Sequence, residues 1–334
     1  MRGGNGKRSD ARPVGGYRGC LAGWLLLFAI PTAMADEPPA QEARAPFLGA
    51  FLTETRILYP LSIDGWEALG ERRYEMAEFG ASVRYEDPSR EDRWMDAYFY
   101  PAGVLPSGRL RKDVEQTMHE ISGRVGVPDG YERVAMGTLK PFSIKFGEGR
   151  DKRSLEAYSV SMQIQRDGKR YHSAMVMLVS DMYYIKTRMT VAEDQIKQER
   201  ARTLLEKNTI ELVRALRVSN TGRCWNPAPI LKTDPPLDTG KPGVVVSTAE
   251  NGVPSAVAYA DRVEALEPES PQARLMQLLA GTITGRIGPG CVPAEDMNPP
   301  VPEGMRELRF EYSAPKEDSD GKSPRLRGQR TGVG

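Results

Sequence analysis

SLEAYSVSMQIQRDGKRYHSAMVMLVSDMYYIKTRMTV, residues 154–191, decides how this chain folds. In its first third Val160, Met162 and Ile164 alternate with Ser161, Gln163 and Gln165, the period-2 signature of a half-buried strand. Asp167-Gly168 then breaks the run. A two-residue hairpin of the primed type needs positive φ at both central positions, which Asp and Gly tolerate. The return segment 169–180 is more continuously apolar and so belongs nearer the centre of a sheet. Ser180-Asp181 is expected to turn the chain again into a third strand, 182–191. The reading is an antiparallel meander.

Two further strands precede it. Residues 79–87 and 93–103 are rich in aromatics and separated by a turn-forming EDPSRED, so they are expected to pair. Within the second, Tyr98 and Tyr100 share a face opposite Phe99. A helix is expected after Ser107 or Gly108, burying Leu110, Val114, Met118 and Ile121. After the meander, Thr190 and Glu193 have the spacing of a capping box, which predicts a long helix to about Leu216 with Ala201, Leu204, Leu205, Leu212, Ala215 and Leu216 inside. Strands followed by helices in this order predict an α+β fold, an antiparallel sheet covered by helices (an α/β sandwich) over residues 47–219.

Pro227, Pro229, Pro235, Pro236 and Pro242 mark 220–243 as a linker. A smaller C-terminal β/α subdomain is expected over 244–315, with strands at 244–247, 256–266 and 305–315. Its helix starts at Ser270-Pro271, a good cap and first position, and its apolar face is read as Leu275, Leu278, Leu279 and Ile283. Residues 316–334 are polar and Gly-rich and read as a disordered tail.

The first 35 residues give an address. Arg2, Lys7, Arg8, Arg12 and Arg18 precede an apolar run at 20–30, Pro31 breaks it, and Ala33-Met34-Ala35 offers a peptidase site between Ala35 and Asp36. The run is far short of the ~20 residues that span a bilayer. Cys20 opens it, where a lipid-modified Cys would close it. The expected product is a periplasmic or secreted protein of a Gram-negative bacterium, with a flexible arm at 36–46 and no membrane-spanning segment after cleavage.

Removing the leader takes five basic residues and one acidic one from totals of 46 and 45, leaving 41 and 44 and a formal charge of about −3. That balance gives no electrostatic pull toward nucleic acid. It also leaves Cys224 and Cys291 as the only pair of cysteines, which in an oxidising compartment is expected to form a structural disulfide.

Catalytic signatures are scarce. No nucleophile elbow, zinc-binding HExxH, Walker loop or dinucleotide fingerprint occurs. Ser313 and Lys316 match S-x-x-K only with a proline between them, and Gly147-Glu148-Gly149 is a loop without further phosphate-binding features. His119 and His172 are the only imidazoles, and no cluster has metal-ligand spacing. No cofactor or metal is therefore expected. Trp94, Tyr98, Phe99, Tyr100, Tyr171, Tyr183 and Tyr184 could form a ligand platform, although strand aromatics more often fill a core. The expectation is a non-catalytic accessory or binding module of the envelope, with an envelope protein or a small ligand as partner. The competing reading is an envelope hydrolase whose site, with His172 or His119 as base, is gathered from distant segments.

The aromatic hairpin, helix, meander and long helix over residues 60–217 resemble the PsbP-like class of α/β sandwich proteins. Lys186, Arg188 and Thr190 stand where that class carries a K-x-R-x-T element leading into its terminal helix. The chain is also similar to uncharacterised secreted proteins of proteobacteria. The resemblance implies a binding or accessory role and carries over no functional residue.

Overall fold

The computed structural model describes residues 51–90, 93–146 and 153–312. The leader with Ala35 and Asp36, the arm 36–46, the loop 147–149, the S-x-x-K match at 313–316 and the tail 316–334 lie outside the described residues.

Chain order runs from β1 (Glu54–Pro60) through β2 (Ser62–Ile63), β3 (Trp66–Arg73), β4 (Ala81–Glu86) and β5 (Trp94–Pro101) to helix α1 (Arg109–Ser122). Next come β6 (Arg133–Met136), β7 (Lys140–Phe146), β8 (Arg153–Arg166), β9 (Lys169–Ser180), β10 (Tyr183–Ala192) and helix α2 (Gln198–Ala215). The last stretch holds β11 (Arg217–Thr221), β12 (Ile230–Lys232), β13 (Val246–Glu250), β14 (Val253–Ala258), β15 (Val263–Ala265), helix α3 (Pro271–Ile283) and β16 (Met305–Glu311).

A nine-stranded antiparallel sheet in the order β2-β3-β4-β5-β10-β9-β8-β6, with β7 pairing along the other part of β8, is the frame of the molecule. The meander β8–β9–β10 forms as its sequence requires, and β4 pairs with β5. Asp167 and Gly168 take φ of 51° and 71°, as a primed turn demands. The second turn centres on Asp181 and Met182, with φ of 48° and 66°, one residue later than Ser180-Asp181 suggests. Met182 is held there because its carbonyl accepts from the amides of Ala102 and Gly103.

Alternation gives this sheet two different faces. On the inner face Val83, Met95, Ala97, Phe99, Ile185 and Met189 pack against α2 and a second, three-stranded sheet, β11-β1-β16, in the main core. On the outer face Val160, Met162, Met175 and Met177 take the apolar side of α1, with Leu110, Val114 and Ile121 buried as its spacing predicts. These antiparallel sheets with helices laid on them make an α+β fold.

Four expectations are corrected. The Thr190–Glu193 capping box does not form: β10 runs on to Ala192, the Thr190 hydroxyl is bonded to that of Ser173, and α2 begins at Gln198 with no side-chain cap on Lys197. Helix α2 buries Ala201, Leu205 and Leu212 as expected, but Leu204 and Leu216 are only half-buried, Ala215 is exposed, and Asn208 and Thr209 are buried instead. The Thr209 hydroxyl meets that of Thr187 on β10 at 2.6 Å, a polar contact that apolar counting passes over.

The span 220–243 is not purely a linker, since β12 within it pairs in parallel with β15 and extends a four-stranded sheet, β12-β15-β14-β13. The strand β16 leaves the 244–315 grouping altogether and pairs with β1 from Glu54↔Glu311 to Pro60↔Met305. Its charges explain part of the choice: Arg309 reaches Glu54, and Arg56 reaches Glu307 at 2.6 Å across the same seam.

Helix α3 starts as predicted, with Ser270 Oγ accepting from the Ala273 amide at 3.2 Å, but it presents the opposite face. Ala273, Met276 and Ala280 lie on Ala256, Ala258, Val263 and Ala265, while Leu275, Leu278, Leu279 and Ile283 are exposed. Small residues on both surfaces let the helix sit close to the sheet, so fit outweighs hydrophobicity here. The same closeness shows at Gly281, where an added Cβ would stand 2.5 Å from Ile287.

Cys224 and Cys291 are paired in a disulfide, with Cα atoms 6.0 Å apart. The bridge joins the segment after β11 to the loop after α3. Buried Asn220 reinforces the joint: its side chain accepts from Thr55 at 2.7 Å and donates to the Asp181 carbonyl at 2.9 Å.

Candidate functional site

Helix α1 covers only part of the outer face of the large sheet. Beyond its edge, over β3, β4, β5 and β10, lies a cleft of about 840 Å³. Its floor is the even-numbered row of three strands: Ser82 and Arg84 from β4, Asp96, Tyr98 and Tyr100 from β5, and Lys186 and Arg188 from β10. Their odd-numbered neighbours form the core, so the strand period itself assigns these side chains to the open side.

One wall is the end of α1 and the loop after it, with Thr117, Glu120, Ile121, Arg124 and Tyr131. The other wall is β3 and the short 3-10 turn at Ala77–Phe79. Leu69 and Phe79 on that wall are 59% and 56% exposed, large apolar groups at the lip of a cavity. Gly80 fixes the turn. It has φ of 65°, and a Cβ there would fall 1.8 Å from the Phe99 carbonyl oxygen, so only glycine lets the turn lie against β5.

The charges on the floor are unequally matched. Arg84 is neutralised by Asp96 in a two-pronged pair at 2.8 and 3.1 Å, and stacks over Trp94. Lys186 has no such partner. Among the described residues no carboxylate comes within 4.0 Å of its ammonium, which lies instead over the rings of Tyr98 and Tyr100, 4.7 and 5.7 Å from their centroids.

Arg188, too, has no carboxylate within 4.0 Å among the described residues. Its Nη2 donates to Tyr131 Oη at 2.8 Å, and its Nε is buried with no acceptor. An orphaned buried donor of this kind costs roughly 1–3 kcal/mol. Burial, and secondarily the charge of Arg188, hold the Lys186 pKa below the ordinary lysine value, with Glu120 pulling weakly the other way. Burial, with Asp96 adding to it, pushes the Tyr98 hydroxyl up to about 12, so it stays protonated and able to donate. Tyr100 is fixed by stacking on Tyr184 at 5.0 Å, and Tyr184 in turn donates to Asp113 on α1.

The two histidines are not brought together. His172 is buried on β9, opposite Gln163 of β8 and Val191 of β10, and its Nδ1 has no hydrogen-bond partner. His119 is exposed on α1. Among the described residues neither imidazole is hydrogen-bonded to a carboxylate, hydroxyl or thiol. Among the described residues no group of three His, Cys, Asp or Glu side chains could hold a metal ion, and no helix is long and apolar enough to cross a membrane.

The aromatic hairpin divides between both readings made of it. Phe99 is in the core and Tyr98 and Tyr100 face the cleft. Lys186 and Arg188 were visible in the sequence only as letters of a family element. The signal that could have found them is two cations at i and i+2 on a strand whose intervening residues are all core.

No family model matches the sequence, and no curated protein matches it either. Among solved structures the chain is similar to cyanobacterial PsbP (CyanoP) from Synechocystis sp. PCC 6803, at 13% identity and a TM-score of 0.31, over 50% of this chain and 93% of that one.

Proposed function

We propose that this protein is exported to the periplasm and acts there as a non-catalytic binding module, with the outer cleft of the large sheet as its ligand site. The observation that carries the reading is the pairing of a large cavity with two cations on its floor that, among the described residues, have no carboxylate within 4.0 Å. Cations left without a carboxylate in a partly dry site cost the fold stability, and ligand binding is a frequent reason for keeping them. The open, apolar lip supports the same reading, since Leu69 and Phe79 offer contact area that the folded chain itself does not use. The leader sequence and the paired Cys224 and Cys291 support export.

The test is a cleft-filling variant. Ser82→Trp places a large ring on the floor without touching the core face of β4. The mature protein is expected to bind the neutral fluorophore N-phenyl-1-naphthylamine with one-to-one stoichiometry, and the variant to lose that binding while unfolding at a similar temperature. Equal binding by a folded variant would overturn the cleft assignment. Export is checked separately: N-terminal sequencing of the periplasmic fraction is expected to start at Asp36, and the unfolded mature protein to titrate no free thiol.

A further inference from the structure

The composition of the cleft narrows what can fill it. We infer that its ligand is an anionic amphiphile: a carboxylate or phosphate headgroup seated between Lys186 and Arg188, joined to an apolar body that lies across Tyr98 and Tyr100 and out over the lip at Leu69 and Phe79. The inference rests on the cleft being a ligand site and adds the chemistry of the ligand.

Three observations lead to it. Arg188 lines the cleft, and its buried Nε is a donor that no group among the described residues satisfies. Beside it the Lys186 ammonium lies on ring faces alone, where it retains donors that an anion would accept. Because the two residues are i and i+2 on β10, their side chains rise from one face of one strand, and a single headgroup can meet both.

The third observation concerns the body of the ligand. The rest of the lining adds the apolar surfaces of Tyr100, Ile121 and Met175 to Leu69 and Phe79, which suits a hydrocarbon or aromatic tail. The lining is not purely cationic, and Glu120 is near enough to act on Lys186. Glu71, Glu78 and Glu120 also line the cleft, and Asp96 is committed to Arg84. A ligand with several spread negative charges would meet them unfavourably, whereas one compact anionic end would not.

The experiment is competition against bound N-phenyl-1-naphthylamine by laurate, dodecyl phosphate, 1-dodecanol and inorganic phosphate, each below its aggregation limit. The proteins are the mature chain, Lys186→Met, Arg188→Met and, as a control outside the cleft, Lys112→Met. Laurate or dodecyl phosphate is expected to compete about tenfold better than dodecanol, and to lose that advantage in Lys186→Met and Arg188→Met but not in Lys112→Met.

Dodecanol competing as well as laurate, with no effect of either cleft substitution, would overturn the anionic headgroup and leave the cleft reading standing. Inorganic phosphate binding as tightly as dodecyl phosphate would overturn the apolar body and assign the site to the free ion. Failure of every probe to bind the folded mature protein would sink the cleft reading itself. Each variant's thermal unfolding is measured alongside, and Arg188→Lys, which keeps the charge, is expected to retain part of the laurate preference.

Discussion

The two faces of β5 and β10 are built from alternate residues of the same strands and could hardly differ more. Inward, Met95, Ala97, Phe99, Ile185 and Met189 are sealed in the main core. Outward, Asp96, Tyr98, Tyr100, Lys186 and Arg188 line an open cavity. A chain that alternates with period 2 can place packing and recognition on neighbouring residues without compromise, because each set sees a different environment. Substitutions one residue apart should therefore report on different properties.

The largest effect is expected on the inner face. Phe99→Ala removes a ring with no exposed surface and should cost roughly 3–5 kcal/mol in a denaturant titration. Its neighbour Tyr98→Leu should cost well under half of that and instead weaken laurate binding. Equal losses of stability from the two would break the distinction between the faces.

Next in size is the disulfide, which lies away from the cleft lining. Cys224→Ser with Cys291→Ser should lower stability by roughly 2–5 kcal/mol while the protein that remains folded binds its ligand unchanged. A change in affinity would mean that the joint beyond β11 and the cleft are coupled.

A smaller effect of opposite sign is expected on the outer face. Lys186→Met should raise stability by roughly 1 kcal/mol while removing the preference for anions. The pH dependence follows from the lowered Lys186 pKa. Between that lowered value and the ordinary 10.5, the unfolded chain holds more protons than the folded one, so this residue makes the native protein gain stability as pH rises through the window. Over the same window the native ammonium is lost, so anion binding should weaken. Unfolding midpoints and laurate affinities measured from neutral pH upward, in the native chain and in Lys186→Met, check both slopes, and the variant should lack them.

The smallest effect sharpens the comparison at α3. Leu279→Gln should change stability by less than about 0.5 kcal/mol, because Leu279 faces outward, whereas Met276→Ala should cost about 2 kcal/mol or more. The reverse ranking would restore the leucine face that periodicity suggests.

These contrasts also explain how far the sequence could be read. The meander and the buried side of α1 were legible because period and partner agree: Val160, Met162 and Ile164 meet Leu110 and Val114. Helix α3 was misread because the apolar face that a sequence displays most strongly is not always the face its neighbour can accept. The pairing of β16 with β1 depends on positions 251 residues apart, as between Arg56 and Glu307, and no local pattern carries such information. The cleft stayed hidden for a related reason. On an isolated strand Lys186 and Arg188 look like any solvated side, and only the incomplete cover of α1 turns that side into a cavity.

The placement of β1 has a consequence for how the molecule is made. This early strand sits in the middle of its small sheet, with β11 on one edge and β16, almost the last described segment, on the other. Emerging from a ribosome or a translocation channel, it must wait with one flank of amides and carbonyls unsatisfied until nearly the whole polypeptide has arrived. A product cut short before Met305 would keep that flank bare, an adhesive edge that invites aggregation or disposal by proteases.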